Sequence, residues 1–201
     1  MKKIMFNDKF LLTKAVLNET KTMTRRIIKK EILIGNWQET ERTLRYKNGE
    51  VVAVAQNYKN IYDELREEEG DDTANKWWAE STIAFGKSID ISAGNNNKMF
   101  VRADFMPYHI KITDVRVERL QDITNEDCLK EGIRKATIGY YVDGLMVRDW
   151  EKESHRETES GNIKLFPTPK LAYASLINKI CGKGTWERNP WVEAYTFERV
   201  D

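Results

Sequence analysis

The chain has 201 residues, which is enough to bury one sizeable core without disulfides or metals to support it. Its 33 Lys and Arg nearly balance its 32 Asp and Glu, which excludes a strongly basic nucleic-acid binder and limits such binding to a local patch. Cys128 and Cys181 stand far apart in the sequence and without a CxxC partner, so neither a disulfide framework nor a thiolate metal site is supported, and we expect an intracellular protein.

The N-terminal segment predicts a strand, a helix and then a basic loop. KKIMF is typical of a short strand, and no apolar run there is long enough for a signal peptide or a membrane span, so we expect a cytoplasmic protein. Asn7 or Asp8 is expected to cap a helix over DKFLLTKAVLNET, whose apolar residues fall mostly on one face. The loop KTMTRR follows that helix, and GEVVAVAQ at 49–56 predicts a buried strand.

The composition changes between residues 58 and 97. YDELREEEGDD is acidic, KWWAEST predicts a short helix, and SAGNNNK predicts a polar loop. We interpret this region as a surface insertion in a single domain spanning 1–201, and we expect a monomer that contacts a protein partner, if any, through the insertion.

The segments after residue 97 predict mainly strands. KMFVRADF and HIKITDVRVERL are the clearest strands, and the alternation of the second is interrupted near Thr113-Asp114. DITNEDCLKEGI predicts a helix of under two turns, with Thr124 and Asp127 resembling a capping box and Gly132 ending it.

The C-terminal segments predict a hairpin, a long helix and a closing strand. IGYYVDGLMV is expected to turn at Asp143-Gly144, and DWEKESHRETESGN is a polar loop. Thr168 and Pro169 begin a helix that ends at CGKG, and NPWVEAYTFERV closes the chain as a strand. The inner stripe of that helix is expected at Tyr173, Leu176, Ile177 and Ile180. Many short strands with few helices predict an α+β, mainly β fold, a small barrel decorated with helices.

Several kinds of site are not expected from this sequence. His109 and His155 are the only histidines, and neither has a second His or Cys at ligand spacing, so we expect no metal site. A Ser/His/Asp arrangement and a Gly-rich phosphate loop are both missing, and no cofactor is expected.

The basic loop is the first candidate for chemistry. A Lys beside a Thr hydroxyl, such as Lys21 near Thr24, acts as a base only if burial or neighbouring cations lower its pKa, and Arg25 and Arg26 are close enough in sequence to do so. The same loop could grip a phosphate. It is also typical of an ordinary solvated surface, and spacing alone favours that interpretation.

Glu131, in LKEGI, is the second candidate. It stands in the last turn of a predicted helix, where the macrodipole favours a cation over a carboxylate. A residue that departs from a local rule often has a functional reason to be there. Local sequence alone, however, favours an exposed and screened carboxylate.

Four segments resemble the ASCH domain family, in particular the longer ASCH proteins of bacteriophages and prophages. They are KTMTRR, YKNGEVVAVA, ITDVRVERLQDITNEDCLKEGI and GKGTWERNPWVEAYTFERV. They run in family order from about residue 3 to residue 200 and leave the regions around 58–97 and 150–165 unmatched. The block from VRVERLQDI to EGI is the most specific of them.

The resemblance implies a PUA-like fold, a twisted β-barrel with helices packed at its openings, which binds RNA or modified nucleosides between the barrel and the first helix. Small bacterial members are amidohydrolases that remove the acetyl group from cytidine acetylated on its exocyclic amine. Their catalytic Lys, Thr and Glu fall on Lys21, Thr24 and Glu131. Lys21 would be the base, Thr24 the nucleophile, and Glu131 the group that orients Lys21 or passes a proton to the leaving amine.

The resemblance also implies substrate-binding residues, for which we expect Thr22, Arg25, Arg26 and Glu50. Arg26 matches the family Arg and would hold the loop or a phosphate. The family's Gly-Asp box is Gly49-Glu50 here, and the Arg-Glu that follows it in many phage members is Ala55-Gln56. Specificity is therefore expected to differ if that pair contacts substrate.

Three functions remain open from the sequence. The first is a nucleoside- or RNA-binding ASCH protein that removes an acyl group from a modified cytidine such as N(4)-acetylcytidine. The second is a non-catalytic module that binds RNA or a modified base, and the third is a phage-encoded protein-interaction module that uses the insertion. A buried Lys21 with a lowered pKa favours the first, and an exposed, salt-sensitive Lys21 favours the second.

Overall fold

The structure is a computed structural model that describes residues 1–29, 37–86, 97–145 and 163–201. The described helices are α1 (Leu12–Leu17), α2 (Trp37–Thr43), α3 (Tyr58–Glu69), α4 (Asp71–Phe85), α5 (Asn125–Lys130), α6 (Pro169–Ile180) and α7 (Thr185–Arg188). The described strands are β1 (Lys3–Ile4), β2 (Met23–Ile27), β3 (Val51–Val54), β4 (His109–Arg119), β5 (Arg134–Lys135), β6 (Tyr140–Tyr141) and β7 (Trp191–Arg199). The predicted α+β class is confirmed, but the expectation of a mainly β fold is wrong, because the described helices contain more residues than the described strands.

The main sheet has five strands in the order β1-β3-β4-β7-β2. It is mixed, because β1 pairs with β3 in parallel whereas β3 pairs with β4, and β2 with β7, in antiparallel. The described strands leave this sheet open, and they do not close it into a barrel. The strands β5 and β6 form a separate antiparallel pair.

The chain divides into two compact units. The first consists of Met1–Phe6, Val51–Lys111 and Arg199–Asp201, and the second of Asn7–Glu50 and Ile112–Glu198. Strands β4 and β7 therefore contribute residues to both units. The interpretation of 58–97 as an insertion in a single domain stays a prediction.

In the first unit, the helices α3 and α4 supply much of the core. Ile61 and Leu65 of α3 and Ala74 of α4 are buried there, and Trp77 and Trp78 pack against them while remaining partly exposed. The predicted short helix over KWWAEST lies within the 15 residues of α4, and the acidic segment before it is helical as well. The segment KMFVRADF is not a strand as predicted, since it contains a 3-10 turn at Ala103–Phe105.

In the second unit, α6 follows its sequence signals closely. The Thr168 hydroxyl caps the helix by accepting a hydrogen bond from the Leu171 N–H at 3.2 Å. Its predicted inner stripe is buried at Tyr173 and Leu176 but exposed at Ile180. Because α6 packs against α5, the stripe covers one side of the segment that carries Glu131.

Two segments of the second unit differ from the prediction. The first helix is interrupted at Leu11, whose φ of 50° separates a 3-10 turn at Asp8–Phe10 from α1. Most of the predicted basic loop belongs to the strand β2. Part of the second strand of the hairpin predicted at Asp143-Gly144 lies outside the described residues, at 146–147; before that turn, β6 pairs with β5. The polar loop predicted at 149–162, with His155, lies outside the described residues, as does most of the loop SAGNNNK.

Candidate functional site

Backbone hydrogen bonds hold Lys21 between α1 and the end of α5. Its N–H donates to the carbonyl of Ala15 in α1, at 2.9 Å. The next residue, Thr22, donates its N–H to the carbonyl of Lys130 at 2.9 Å and accepts from the N–H of Phe197 at 2.9 Å. The chain then continues into β2, so three elements fix the position of Lys21 before its side chain makes any contact.

Glu131 is positioned by the way in which α5 begins and ends. The Thr124 hydroxyl caps the helix by accepting from the Asp127 N–H at 3.0 Å, as predicted. The Glu131 N–H donates to the Asp127 carbonyl at 2.9 Å. Gly132 has a φ of 98°, which a residue with a side chain rarely adopts, and the helix ends there.

Lys21 and Glu131 form a buried ion pair. The Nζ atom of Lys21 lies 2.7 Å from Oε2 of Glu131 and donates to the carbonyls of Glu131 and Met23, both at 2.7 Å. Lys21 is 2% exposed and Glu131 is 4% exposed. Charges are buried in this way only when they are paired and hydrogen-bonded. A cation at the end of α5 also complements the helix dipole, so Lys21 offsets the unfavourable position of the Glu131 carboxylate.

Arg25 extends the ion pair into a network of carboxylates. Its Nη1 atom lies 3.2 Å from Oε1 of Glu131, and its Nη2 atom lies 2.8 Å from Oδ2 of Asp127. Its Nε atom donates to Oε1 of Glu118 at 2.8 Å. The Arg25 side chain is 1% exposed, so its guanidinium faces protein on all sides.

Arg116 marks the solvent-facing end of this network. Its Nη2 atom donates to Oδ2 of Asp127 at 3.1 Å, and its Nε atom lies 3.5 Å from Oδ2 of Asp114. Its side chain is 44% exposed. The network thus runs from solvent at Arg116 through Asp127 to Arg25 and then to the Glu131 carboxylate in the interior.

The pKa values of Lys21 and Arg25 are shifted in opposite directions by their surroundings. Burial lowers the pKa of Lys21; Glu131 opposes this effect, and the charges of Arg26 and Arg25 add to it. Burial also acts to lower the pKa of Arg25, but its carboxylate neighbours, led by Glu131, outweigh it and raise that pKa. Of these two cations, Lys21 is therefore the one that gives up its proton more readily.

The structure places the predicted residues unequally. Lys21 and Arg25 each contact the Glu131 carboxylate directly. Thr24 lies in β2, in register with Tyr195 of β7, and is 5% exposed. Along a strand, successive side chains alternate between faces, so Thr24 and Arg25 point to opposite faces of β2.

The other predicted substrate-binding residues are half-buried. Thr22 takes part in the backbone bonds that fix Lys21. Burial lowers the pKa of Arg26, against the influence of Tyr46 and Glu131. The Glu50 carboxylate accepts from the N–H of Lys47 at 2.9 Å, within the turn that precedes β3. The binding roles of these residues stay predictions.

Two interpretations based on local sequence are wrong. The basic loop is not an ordinary solvated surface, because Lys21, Thr24 and Arg25 are buried. Glu131 is not an exposed and screened carboxylate, because it is buried against Lys21. Local sequence does not reveal this burial, since the partners of each residue lie about a hundred positions away.

Sequence reasoning missed three members of the network, although their spacing carried a signal. Arg116 and Glu118 are two residues apart, which places them on one face of β4. Asp127 and Glu131 are four residues apart, which places them on one side of α5 and its end. Asp127 was expected only as part of a helix cap, and its carboxylate also binds Arg25.

The structure and the comparisons bear on other classes of site. Within the described residues, no group of three or more His, Cys, Asp or Glu side chains is arranged to hold a metal ion. No helix in that part of the chain combines the length and apolar character needed to cross a membrane.

Comparison with family models, with curated proteins and with solved structures finds no significant match to this chain.

Proposed function

We propose that this chain is an ASCH-type protein that binds a nucleoside or RNA and hydrolyses the amide of an acylated cytidine at Lys21, Thr24 and Glu131. One observation supports the proposal above the others. Lys21, which precedes the strand that carries Thr24, is buried and paired with a carboxylate from the end of the short helix. The resemblance to ASCH proteins predicts the same pairing.

The proposed reaction begins with attack by Thr24. Its hydroxyl oxygen bonds to the acyl carbon as its proton passes to the neutral amine of Lys21. The bond from the acyl carbon to the exocyclic nitrogen then breaks, and that nitrogen takes up the proton from Lys21, directly or through Glu131. Water hydrolyses the resulting ester on Thr24, which releases a carboxylic acid and restores the hydroxyl.

The protonation of Lys21 decides whether it can act as this base. Only the neutral amine accepts a proton, so the burial that lowers the pKa of Lys21 supports the role. Substrate binding must also bring the acyl carbon to the Thr24 hydroxyl. Since Thr24 and Arg25 point to opposite faces of β2, we expect substrate to approach on the Thr24 face. The Lys21 amine, which shares the Glu131 carboxylate with Arg25, must then turn toward the Thr24 hydroxyl to accept its proton.

The PUA-like barrel belongs to the same proposal. Its support is the order of elements, in which α1 leads into β2 and the closing strand β7 pairs with β2. The described strands form an open sheet, so the barrel stays an expectation from the resemblance.

A non-catalytic binding module is the second candidate. It is favoured by the hydrogen bonds of Lys21, because three protein oxygens at 2.7 Å lie around its Nζ atom. A lysine held in this way is also typical of a structural ion pair. In that case the protein would recognise a modified base without breaking a bond.

A turnover assay separates the two candidates. Purified protein is incubated with N(4)-acetylcytidine and with a panel of other acylated cytidines, and release of cytidine is followed chromatographically. We expect turnover by the unaltered protein and its loss in Thr24→Val, which removes the hydroxyl at nearly constant volume. Thr196→Val, in the adjacent strand β7, is the matched control and is expected to retain turnover.

The pattern of results identifies the function. Turnover that survives Thr24→Val contradicts the proposed nucleophile. No turnover on any member of the panel, together with binding of an acylated cytidine measured by calorimetry, supports the non-catalytic module. If the protein shows no turnover and no binding, both candidates are overturned and the protein-interaction module remains. Substitutions that neutralise the acidic residues of α3 would then test that module.

A further inference from the structure

The Glu131 carboxylate is shared between two cations. Its Oε2 atom lies 2.7 Å from the Nζ atom of Lys21, and its Oε1 atom lies 3.2 Å from Nη1 of Arg25. Each oxygen therefore has its own cation. Because the Arg25 side chain is 1% exposed, this division is built into the interior and does not depend on a mobile surface contact.

Arg25 is itself held from two further directions. Glu118, in β4, and Asp127, in α5, both lie within 2.8 Å of its guanidinium. The planar fork of an arginine suits several carboxylates at fixed angles, which a lysine ammonium does not. These contacts leave Arg25 little freedom to turn toward a substrate.

We propose that Arg25 is a positioning residue, which holds one oxygen of Glu131 so that Lys21 shares its carboxylate partner instead of having it alone. The catalytic part of this inference rests on the proposed function. The predicted effect of Arg25 on the protonation of Lys21 does not. It reassigns Arg25 from substrate binding, which the sequence predicts, to control of the buried lysine.

The consequence for Lys21 follows from the charges around it. Removing Arg25 takes away a positive charge near Lys21 and leaves both oxygens of Glu131 to the lysine. Both changes favour the protonated amine, so they raise the pKa of Lys21. The titratable groups around the ion pair of Lys21 and Glu131 are Arg25 and Arg26 from β2, Arg116 and Glu118 from β4, Asp127 and Cys128 from α5, and Tyr173 from α6.

The test measures the protonation of Lys21 directly. The side-chain resonances of Lys21, assigned by their loss in Lys21→Met, are titrated by NMR in the unaltered protein and in Arg25→Gln. We expect the pKa of Lys21 to rise by about one unit in the variant, a tenfold change in proton affinity. Arg25→Lys, which keeps the charge but not the fork, should show a smaller rise.

Arg116→Gln is the matched control. Arg116 also binds Asp127, but it does not contact Glu131, so the pKa of Lys21 should stay as in the unaltered protein. Should Arg25→Gln fail to fold, Arg25→Gln combined with Asp127→Asn removes one charge of each sign and is titrated in its place. A pKa of Lys21 that is unchanged in the folded variant overturns the inference. An equal rise in Arg116→Gln would also overturn it, because the effect would then not require contact with Glu131.

Turnover provides a second and separable readout. If the protein is an amidohydrolase, kcat/KM rises with pH as Lys21 loses its proton, and Arg25→Gln should move this rise to higher pH. A positioning role leaves KM nearly unchanged, whereas loss of a substrate contact raises KM. Absence of turnover refutes the proposed function alone, because the NMR titration tests the role of Arg25 without any substrate.

Discussion

The Nζ atom of Lys21 lies 2.7 Å from the Glu131 carboxylate, although the two residues are 110 positions apart in the chain. The pair joins the end of α5 to the turn before β2. It also explains why a carboxylate stands where a helix dipole disfavours it, because a buried cation lies against the same helix end. Its stability and its chemistry can be tested separately.

Replacing Glu131 with Gln should destabilise the protein strongly. The variant leaves the Lys21 charge buried beside a neutral amide, and breaking a buried pair from one side costs about 3–5 kcal/mol. Chemical denaturation, followed by circular dichroism, measures the free energy of unfolding. Glu126→Gln, an exposed position in the same helix, should cost less than about 1 kcal/mol. If Glu131→Gln lost as little stability as Glu126→Gln, the buried ion pair would contribute little to the free energy of unfolding.

Because single changes at Lys21 or Glu131 leave a charge behind, alanine variants at these positions confound activity with folding. Lys21→Met combined with Glu131→Leu removes both charges and is expected to recover much of the stability that either change alone removes. Turnover should be absent from this double variant. Turnover in a folded double variant would contradict the proposed site.

Asp127 should stabilise the protein at neutral pH and lose this effect in acid. Burial acts to raise the pKa of Asp127, but hydrogen bonds from Arg25 and Arg116 outweigh burial and lower that pKa below its usual value of 3.8. The unfolded chain therefore binds more protons between the folded and the unfolded pKa, and stability increases with pH across that window.

The measurement is the free energy of unfolding of the unaltered protein and of Asp127→Asn as a function of pH. The difference between them should be largest above pH 3.8 and should shrink as the pH falls through the lower, folded pKa. A difference that does not depend on pH would mean that the carboxylate's charge is not what stabilises the fold.

Short-range features follow from the sequence far better than long-range partners do. Thr124 is expected to cap α5 and Gly132 to end it, because both signals lie within a few residues of the helix. The burial of Arg25 and Glu131 could not be read in the same way, since it depends on strands and helices brought together from distant segments. Leu11, which interrupts the first helix with a φ of 50°, carries no local signal such as Gly or Asn.

The segment 114–118 contains a signal for two members of the charged network that the sequence analysis did not use. Alternation is interrupted near Thr113-Asp114, and the buried positions do shift there from Ile112 to Val115. The same shift puts Arg116 and Glu118 on the face opposite Val115, where they meet Asp127 and Arg25. Part of the network could therefore have been predicted from the interrupted alternation of apolar residues in β4.

Tyr173→Phe should stabilise the protein. Tyr173 is fully buried in α6, and its hydroxyl has no hydrogen-bond partner in the described part of the chain. Such a hydroxyl costs about 1–3 kcal/mol of desolvation without a compensating bond, so its removal should raise the free energy of unfolding.

Tyr195→Phe is the matched comparison for Tyr173→Phe. The Tyr195 hydroxyl donates to Glu193 and accepts from the N–H of Tyr46 at 3.3 Å, so its loss should lower the free energy of unfolding measured by denaturation. If the two changes altered the free energy of unfolding equally, this would contradict the conclusion that the Tyr173 hydroxyl has no hydrogen-bond partner.

Gly132→Ala tests how closely the end of α5 approaches Lys21. A Cβ at this position would lie 3.2 Å from Cδ2 of Leu12 and 3.7 Å from Cδ of Lys21, and the φ of 98° is itself unfavourable for alanine. Gly182 has a φ of 101° and no atom within 4 Å of where its Cβ would stand, so Gly182→Ala measures the backbone cost alone. That cost is about 1–3 kcal/mol.

The contact with Leu12 should make Gly132→Ala the more damaging of these two glycine changes. We expect it to lose more stability than Gly182→Ala and to shift the NMR resonances of the Lys21 side chain, because the added methyl group lies against both Leu12 and Lys21. Equal losses, with unchanged Lys21 resonances, would mean that Leu12 moves aside and that the approach of the helix end to Lys21 is not tight.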